Sequence, residues 1–292
     1  MKLKYTSEPL HEGGSAVPDC GTIHLSEIQP TLAKLSLDLD FTFDLNDYIL
    51  GSTGKRDYSG DIDLVLDSKY YNGTPGDFVT KLKTKFGTGF VARNGDMVHL
   101  KYPIVNYNPA FDERKPRTGF VQVDFNFGDA DWERIYHYSP GANSEYKGAH
   151  RNLAIAAITS SVQLVNSEDK DGYNRPVQQT RWKFGSKGLL RVNRVGQKDH
   201  RTGAWMKKQV DTNIHGPYLT VVDIVNILFP EDNQPDDIDS LETIMAAVKR
   251  NYGMVDRERI WKRMAGNFAA WKDGKNFTYP SEIDQYFDID DK

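Results

Sequence analysis

Apolar residues recur at helical spacing in some stretches of the chain and alternate with polar ones in others, and the changes of period outline its elements. In "HLSEIQPTLAKLSLDL", Ile28, Leu32 and Leu35 mark one face of a helix entered at Ser26, with Pro30 in its first turn. "DYILGS" reads as a short strand running into a turn, and "DIDLVLD", which starts at Asp61, as the strand that follows. Phe78, Val79, Leu82 and Phe86 predict a helix from Gly76 to Phe86. "FVARNGDMVHLKYPIV" reads as a hairpin about Asn94-Gly95, a pair that tolerates the positive backbone angles of a tight reversal. "GFVQVDFNFGD" adds another strand.

Farther along, "NSEYKGAHRNLAIAAITSSV" predicts a helix capped by Asn143 or Ser144 and bridging two lobes. "TRWKFGSKGLLRVNRV" reads as a second hairpin about Gly185 to Gly188. Helices are expected in "YLTVVDIVNILF", "SLETIMAAVKRNYG" and "DRERIWKRMAGNFAAWKDG", each closed by Pro or Gly signals, and the acidic tail from Ser281 is expected to be loosely held. The pattern is α+β. A small mixed sheet flanked by helices is expected over residues 1–160, and a β-hairpin with a mainly helical second lobe over residues 161–292. A length of 292 residues suits two such lobes.

Composition changes this picture little. Hydrophobic residues at 38%, charged residues at 27% and a net charge of -4 belong to an ordinary globular chain, which excludes the disordered and fibrous classes. No apolar run approaches membrane-spanning length, and "MKLKYTSEPLHEGG" lacks the apolar centre of a signal peptide, so no membrane partner is expected. Cys20 is the single cysteine and has no internal partner, which together with the missing signal peptide predicts a cytoplasmic protein. The seven histidines, His99 and His150 among them, are scattered without paired ligand spacing and are read as mostly surface residues.

The acidic residues change it more. Side chains alternate across a strand, so Asp61, Asp63, Val65 and Asp67 share one face while Ile62, Leu64 and Leu66 point to the other. "VQVDFNF" repeats the pattern, with Val123, Phe125 and Phe127 opposite Gln122, Asp124 and Asn126. If these strands are neighbours, Asp61, Asp63 and Asp124 converge. Three carboxylates so placed repel one another and call for a cation, and oxygen ligands suit Mg2+ or Mn2+ with positions left for phosphates. Upstream, Gly51-Ser52 allows close backbone approach to a phosphate, and Lys55 and Arg56 add positive charge. "GSTGKRDYSG" only imitates a P-loop, since the Gly-x-x-x-x-Gly-Lys-Ser/Thr pattern is absent.

Leu50-Gly51-Ser52, a spacer, Asp61-Ile62-Asp63-Leu64 and then a distant strand Asp124 resemble the nucleotidyltransferase superfamily that includes DNA polymerase beta and poly(A) polymerases. The resemblance covers roughly residues 27–158. It implies that Asp61 and Asp63 bind metal ions, that Asp124 completes the site and helps activate an acceptor hydroxyl, and that Gly51 and Ser52 hold the triphosphate of ATP or another nucleotide. It further implies a basic residue on the helix after the third aspartate, for which Lys147 and Arg151 are the candidates.

The segment from Lys147 to Lys208 is markedly basic and carries Trp182, Phe184 and Trp205 among its cations, which suits an RNA, tRNA or DNA end as acceptor. A small hydroxylated molecule, such as an aminoglycoside, or a protein hydroxyl is the alternative acceptor. A metal-dependent glycosyltransferase could also use Asp-x-Asp, but needs neither the Gly-Ser turn nor Asp124. A non-catalytic nucleotide-binding module would be expected to lack one of the three aspartates.

Overall fold

The computed structural model of the protein describes residues 16–111, 117–140, 144, 146, 148–161, 163–164, 176–197, 201–202 and 210–272; for residues 163–164, 176–179, 194–197, 210 and 269–272 it describes the backbone alone. The described residues form an α+β structure with seven α-helices and three small sheets. None of these helices is long and apolar enough to cross a membrane. The chain divides into two compact units, Met1–Asn143 and Ser144–Lys292.

The first unit is built on a four-stranded sheet. Its strands are β3 (Asp61–Asp67), β4 (Val91–Asn94), β5 (Met97–Pro103) and β6 (Phe120–Gly128), in the spatial order β3-β6-β5-β4. β3 and β6 run parallel, and the remaining pairs are antiparallel. A separate two-stranded ladder joins β1 (Ile23–His24) to β2 (Tyr58–Ser59). The hairpin between β4 and β5 turns on Gly95-Asp96, one position later than the sequence pattern indicates, with Gly95 at a φ of +62° and Asn94 paired to Met97.

Two helices cover one face of this sheet. α1 (Leu25–Asp38) begins one residue earlier than expected because His24 caps it: the Ser26 amide donates to the His24 ring, and Glu27 returns a hydrogen bond from the His24 amide at 3.0 Å. Pro30 is then the sixth helical residue. α2 (Pro75–Phe86) opens with a capping box of Thr74 and Asp77 and closes at Gly87. Ile28, Leu32 and Leu35 of α1, and Phe78 and Leu82 of α2, enter one core with Ile62, Leu64, Leu66, Val123 and Phe125 of the strands. Each such side chain contributes about 1.5–3 kcal/mol when fully buried. The apolar face expected of β3 and β6 is therefore the core face. "DYILGS" supplies no strand; Leu45–Tyr48 is a 3-10 turn, and Ile49 makes a single bridge to Leu64. A short helix, α3 (Ala130–Tyr136), follows β6 and is capped by Asp129.

The second unit starts earlier than residue 161, because α4 (Gly148–Ser161) packs on α6 (Leu241–Asn251) and α7 (Met254–Lys272). Ala154, Ile155, Ala157 and Ile158 of α4 are buried, with Ile244, Met245 and Val248 of α6 and Ile260 and Met264 of α7. α4 thus belongs with the second unit. The sheet here is antiparallel, ordered β10-β9-β8-β7, from β7 (Gln163–Leu164), β8 (Pro176–Gly185), β9 (Gly188–Gln197) and β10 (Val210–Tyr218). β8 and β9 are the expected hairpin, closed by Gly185 opposite Gly188. β10 has no counterpart in the sequence reading. Ser240 caps α6, and Thr220 caps α5 (Val221–Leu228).

Candidate metal and nucleotide site

Parallel pairing of β3 with β6 sets Asp63 directly beside Asp124 and Asp61 beside Gln122. One carboxylate oxygen from each of Asp61, Asp63 and Asp124 lies within 4.8 Å of the others, a spacing at which each pair of like charges repels by about 3 to 4 kcal/mol at an effective dielectric near 20. Asp124 is buried, and Asp61 and Asp63 are half-buried. Burial, and then the charges of Asp61 and Asp124, push the Asp63 carboxyl well above the ordinary carboxylate range. The chemistry of this donor set, oxygen only and strongly self-repelling, fits a hard divalent cation.

The Gly51 turn lies against the same strand. The Leu50 amide donates to the Asp63 carbonyl at 2.8 Å, which brings the next residue over the Asp63 side chain. Gly51 has a φ of +64°, which favours glycine, and a Cβ there would stand 2.7 Å from Asp63 Oδ2, so a side chain could enter only by displacing that carboxylate. Thr53 ties the turn down: its buried hydroxyl accepts from the Asp63 amide at 3.0 Å. The sequence reading passed over Thr53, although its place between two turn glycines was a usable signal. Ser52 is exposed at the crest, and its carbonyl accepts from the Lys55 amide.

A cleft of about 220 Å³ opens beside this turn, walled by Gly51, Thr53, Lys55, Arg134 and Tyr138. Lys55 Nζ lies 4.6 Å from the centre of the Tyr138 ring and donates to the Ser139 carbonyl. Arg134, on α3, donates to the Asp47 carbonyl at 2.6 Å and to Asp131 at 3.0 Å. Arg56 is exposed on the turn itself. The helix that directly follows the Asp124 strand is therefore α3, and its basic residue at the cleft is Arg134.

Arg151 lies on α4, in the second unit. It is buried there, and its guanidinium donates to the Ile238 carbonyl and to Asn152 Oδ1, so it serves packing between α4 and the turn before α6. Lys147 lies outside the described residues, as do Lys170, Arg175, Lys198, Trp205, Lys207 and Lys208.

Asp124 has partners that sequence alone concealed. His99, its cross-strand neighbour on β5, sets Nδ1 2.8 Å from Oδ1. Gln122, two residues back on the same face, donates its amide nitrogen to Oδ1 at 2.8 Å and to Oδ2 at 3.1 Å. His99 is thus buried at the acidic cluster, and His150 is buried as well, two exceptions to the reading of the histidines as mostly surface residues. Among the described residues Asp61, Asp63 and Asp124 are the one group of side chains that could hold a metal ion. The chain matches no protein-family model and no curated protein.

Proposed function

We propose that this protein is a metal-dependent nucleotidyltransferase that moves a nucleoside monophosphate from a nucleoside triphosphate to an acceptor hydroxyl and releases pyrophosphate. The observation that supports it most is the convergence of Asp61, Asp63 and Asp124 beside a turn whose Gly51 backbone lies against the Asp63 carboxylate. When bound, Mg2+ or Mn2+ would supply positive charge against the phosphates and the ionising hydroxyl.

The residues divide the remaining work. Asp61 and Asp63 would hold the cation, and Asp124 would complete its site and assist proton loss from the acceptor hydroxyl. Gly51 admits the triphosphate close to the backbone, with the exposed Ser52 hydroxyl and the cleft cations Lys55 and Arg134 at hand to orient it. The acceptor oxygen forms a bond to the α-phosphorus, the bond from that phosphorus to the bridging oxygen breaks, and pyrophosphate leaves with the electron pair. Positioning and charge neutralisation carry such a reaction.

The acceptor we favour is a nucleic-acid end. On the hairpin of the second unit Lys183 and Lys187 are exposed, and Asp211 pairs with both Lys183, at 3.5 Å, and Arg181, at 3.1 Å. Labelled triphosphates incubated with RNA, DNA and small hydroxylated acceptors test both levels of the reading. Asp61→Ala is expected to lower transfer by roughly a thousandfold or more with an unchanged circular dichroism spectrum; full activity in that variant refutes the assignment. Acceptor affinity that falls steeply between about 50 and 200 mM salt supports a nucleic acid, and a flat response supports a small acceptor.

A further inference from the structure

The grip on Asp124 is asymmetric. Gln122 Oε1 accepts from the Ala16 and Val17 amides at 3.0 and 3.1 Å, which fixes the side-chain amide so that its NH2 group must face the carboxylate. An ionised Asp124 only accepts, and in that state the hydrogen bond from His99 places the proton on Nδ1. Oδ1 therefore receives two donors at 2.8 Å each, while Oδ2 has a single longer contact at 3.1 Å.

We propose that His99 is a positioning residue of the metal site, which together with Gln122 ties down Oδ1 of Asp124 and leaves Oδ2 as the oxygen offered to the divalent cation. The inference rests on the metal-site reading above. Its physical basis is the repulsion within the cluster: an untethered Asp124 side chain would relieve that repulsion by rotating away from Asp63, and two donors on one oxygen hold it in place. Packing alone does not account for the histidine. Its Nε2 is buried without a hydrogen-bond partner among the described residues, a cost of about 1–3 kcal/mol that an apolar ring of similar size would not carry. What offsets that cost is the hydrogen bond to Asp124.

The test is Mn2+ binding to the full chain without nucleotide, followed by electron paramagnetic resonance of the free ion, alongside transfer kinetics. His99→Phe keeps a ring but removes the donor. It is expected to weaken Mn2+ binding by about ten- to a hundredfold and to lower kcat, with KM for the triphosphate little changed. His99→Asn returns an N–H close to the same position and is expected to recover most of the loss. Gln122→Met removes the other donor and is expected to act in the same direction, so the test stands even where His99→Phe fails to fold. Unchanged Mn2+ affinity in the folded donor-free variants overturns the proposal, as does a loss that His99→Asn does not restore. Asp124→Asn separates the two levels. If it binds Mn2+ as tightly as the unaltered protein, the metal-site reading fails and the positioning role falls with it; if it binds weakly while His99→Phe binds normally, only the positioning role fails.

Discussion

The two halves of one strand face have opposite fates. On β3, Asp61, Asp63, Val65 and Asp67 alternate with the core residues, yet only the first two take part in the acidic cluster. Val65 is fully buried in a small apolar cluster with Leu50 and Ala130, and Tyr48 packs against it. Asp67 is buried too, and its carboxylate accepts from the Lys69 amide at 2.8 Å, closing the turn after the strand. Neighbouring residues draw the dividing line. Leu50 seals the far half, and Gly51, with no side chain, leaves the near half open above Asp63. Alternation assigns a residue to a face, but what packs on that face decides whether it can meet a ligand.

The comparison can be broken most forcefully at Val65. If both halves tolerated charge, Val65→Asp would fold; instead it is expected to destabilise the first unit by about 4 kcal/mol or more in urea denaturation, since an isolated carboxylate would replace a fully buried side chain. A smaller effect on stability, but a sharper one on the site, is expected from Gly51→Ala. The positive φ costs an alanine about 1–2 kcal/mol, and the added methyl must displace Asp63 Oδ2, so Mn2+ affinity should fall further than the melting temperature alone explains. A near-normal affinity would show that the turn does not govern Asp63.

The smallest expected effect is a slope with pH. Asp63 titrates in the folded protein well above its ordinary value, so the folded state binds the proton more tightly than the unfolded chain does. Its contribution is therefore fully present below the unfolded value near 4 and is lost as pH rises through the raised folded value. In chelator, stability is expected to decline across that window, and Asp63→Asn should flatten the decline. Saturating Mn2+ should do the same in the unaltered chain.

Much of this was legible in the residues. Ile62, Leu64 and Leu66 alternate with polar positions and are core, as are Val123 and Phe125, and Thr74 with Asp77 marks the start of α2. The hairpins announce themselves through Gly95 and Gly188. What stayed hidden depends on pairing between distant segments. Nothing near His99 in sequence indicates that it will face Asp124, because that contact exists only once β5 lies beside β6. Arg134 was missed because α3 is too short to give a periodic signal, and the burial of Arg151 was hidden because its partner carbonyl, that of Ile238, is distant in sequence. β10 escaped because its sequence, "VDTNIHGPY", has little apolar alternation, and most of its described side chains are exposed.

The parallel pairing of β3 with β6 carries one more consequence, for the order in which the molecule acquires its parts. Asp63 and Asp124 become neighbours only after the entire crossover between them has closed, a long-range contact that loop entropy defers until late in folding. A ribosome-bound chain that has emerged only as far as β5 holds two of the three aspartates and no partner strand for them, so the cluster is complete only once β6 has followed.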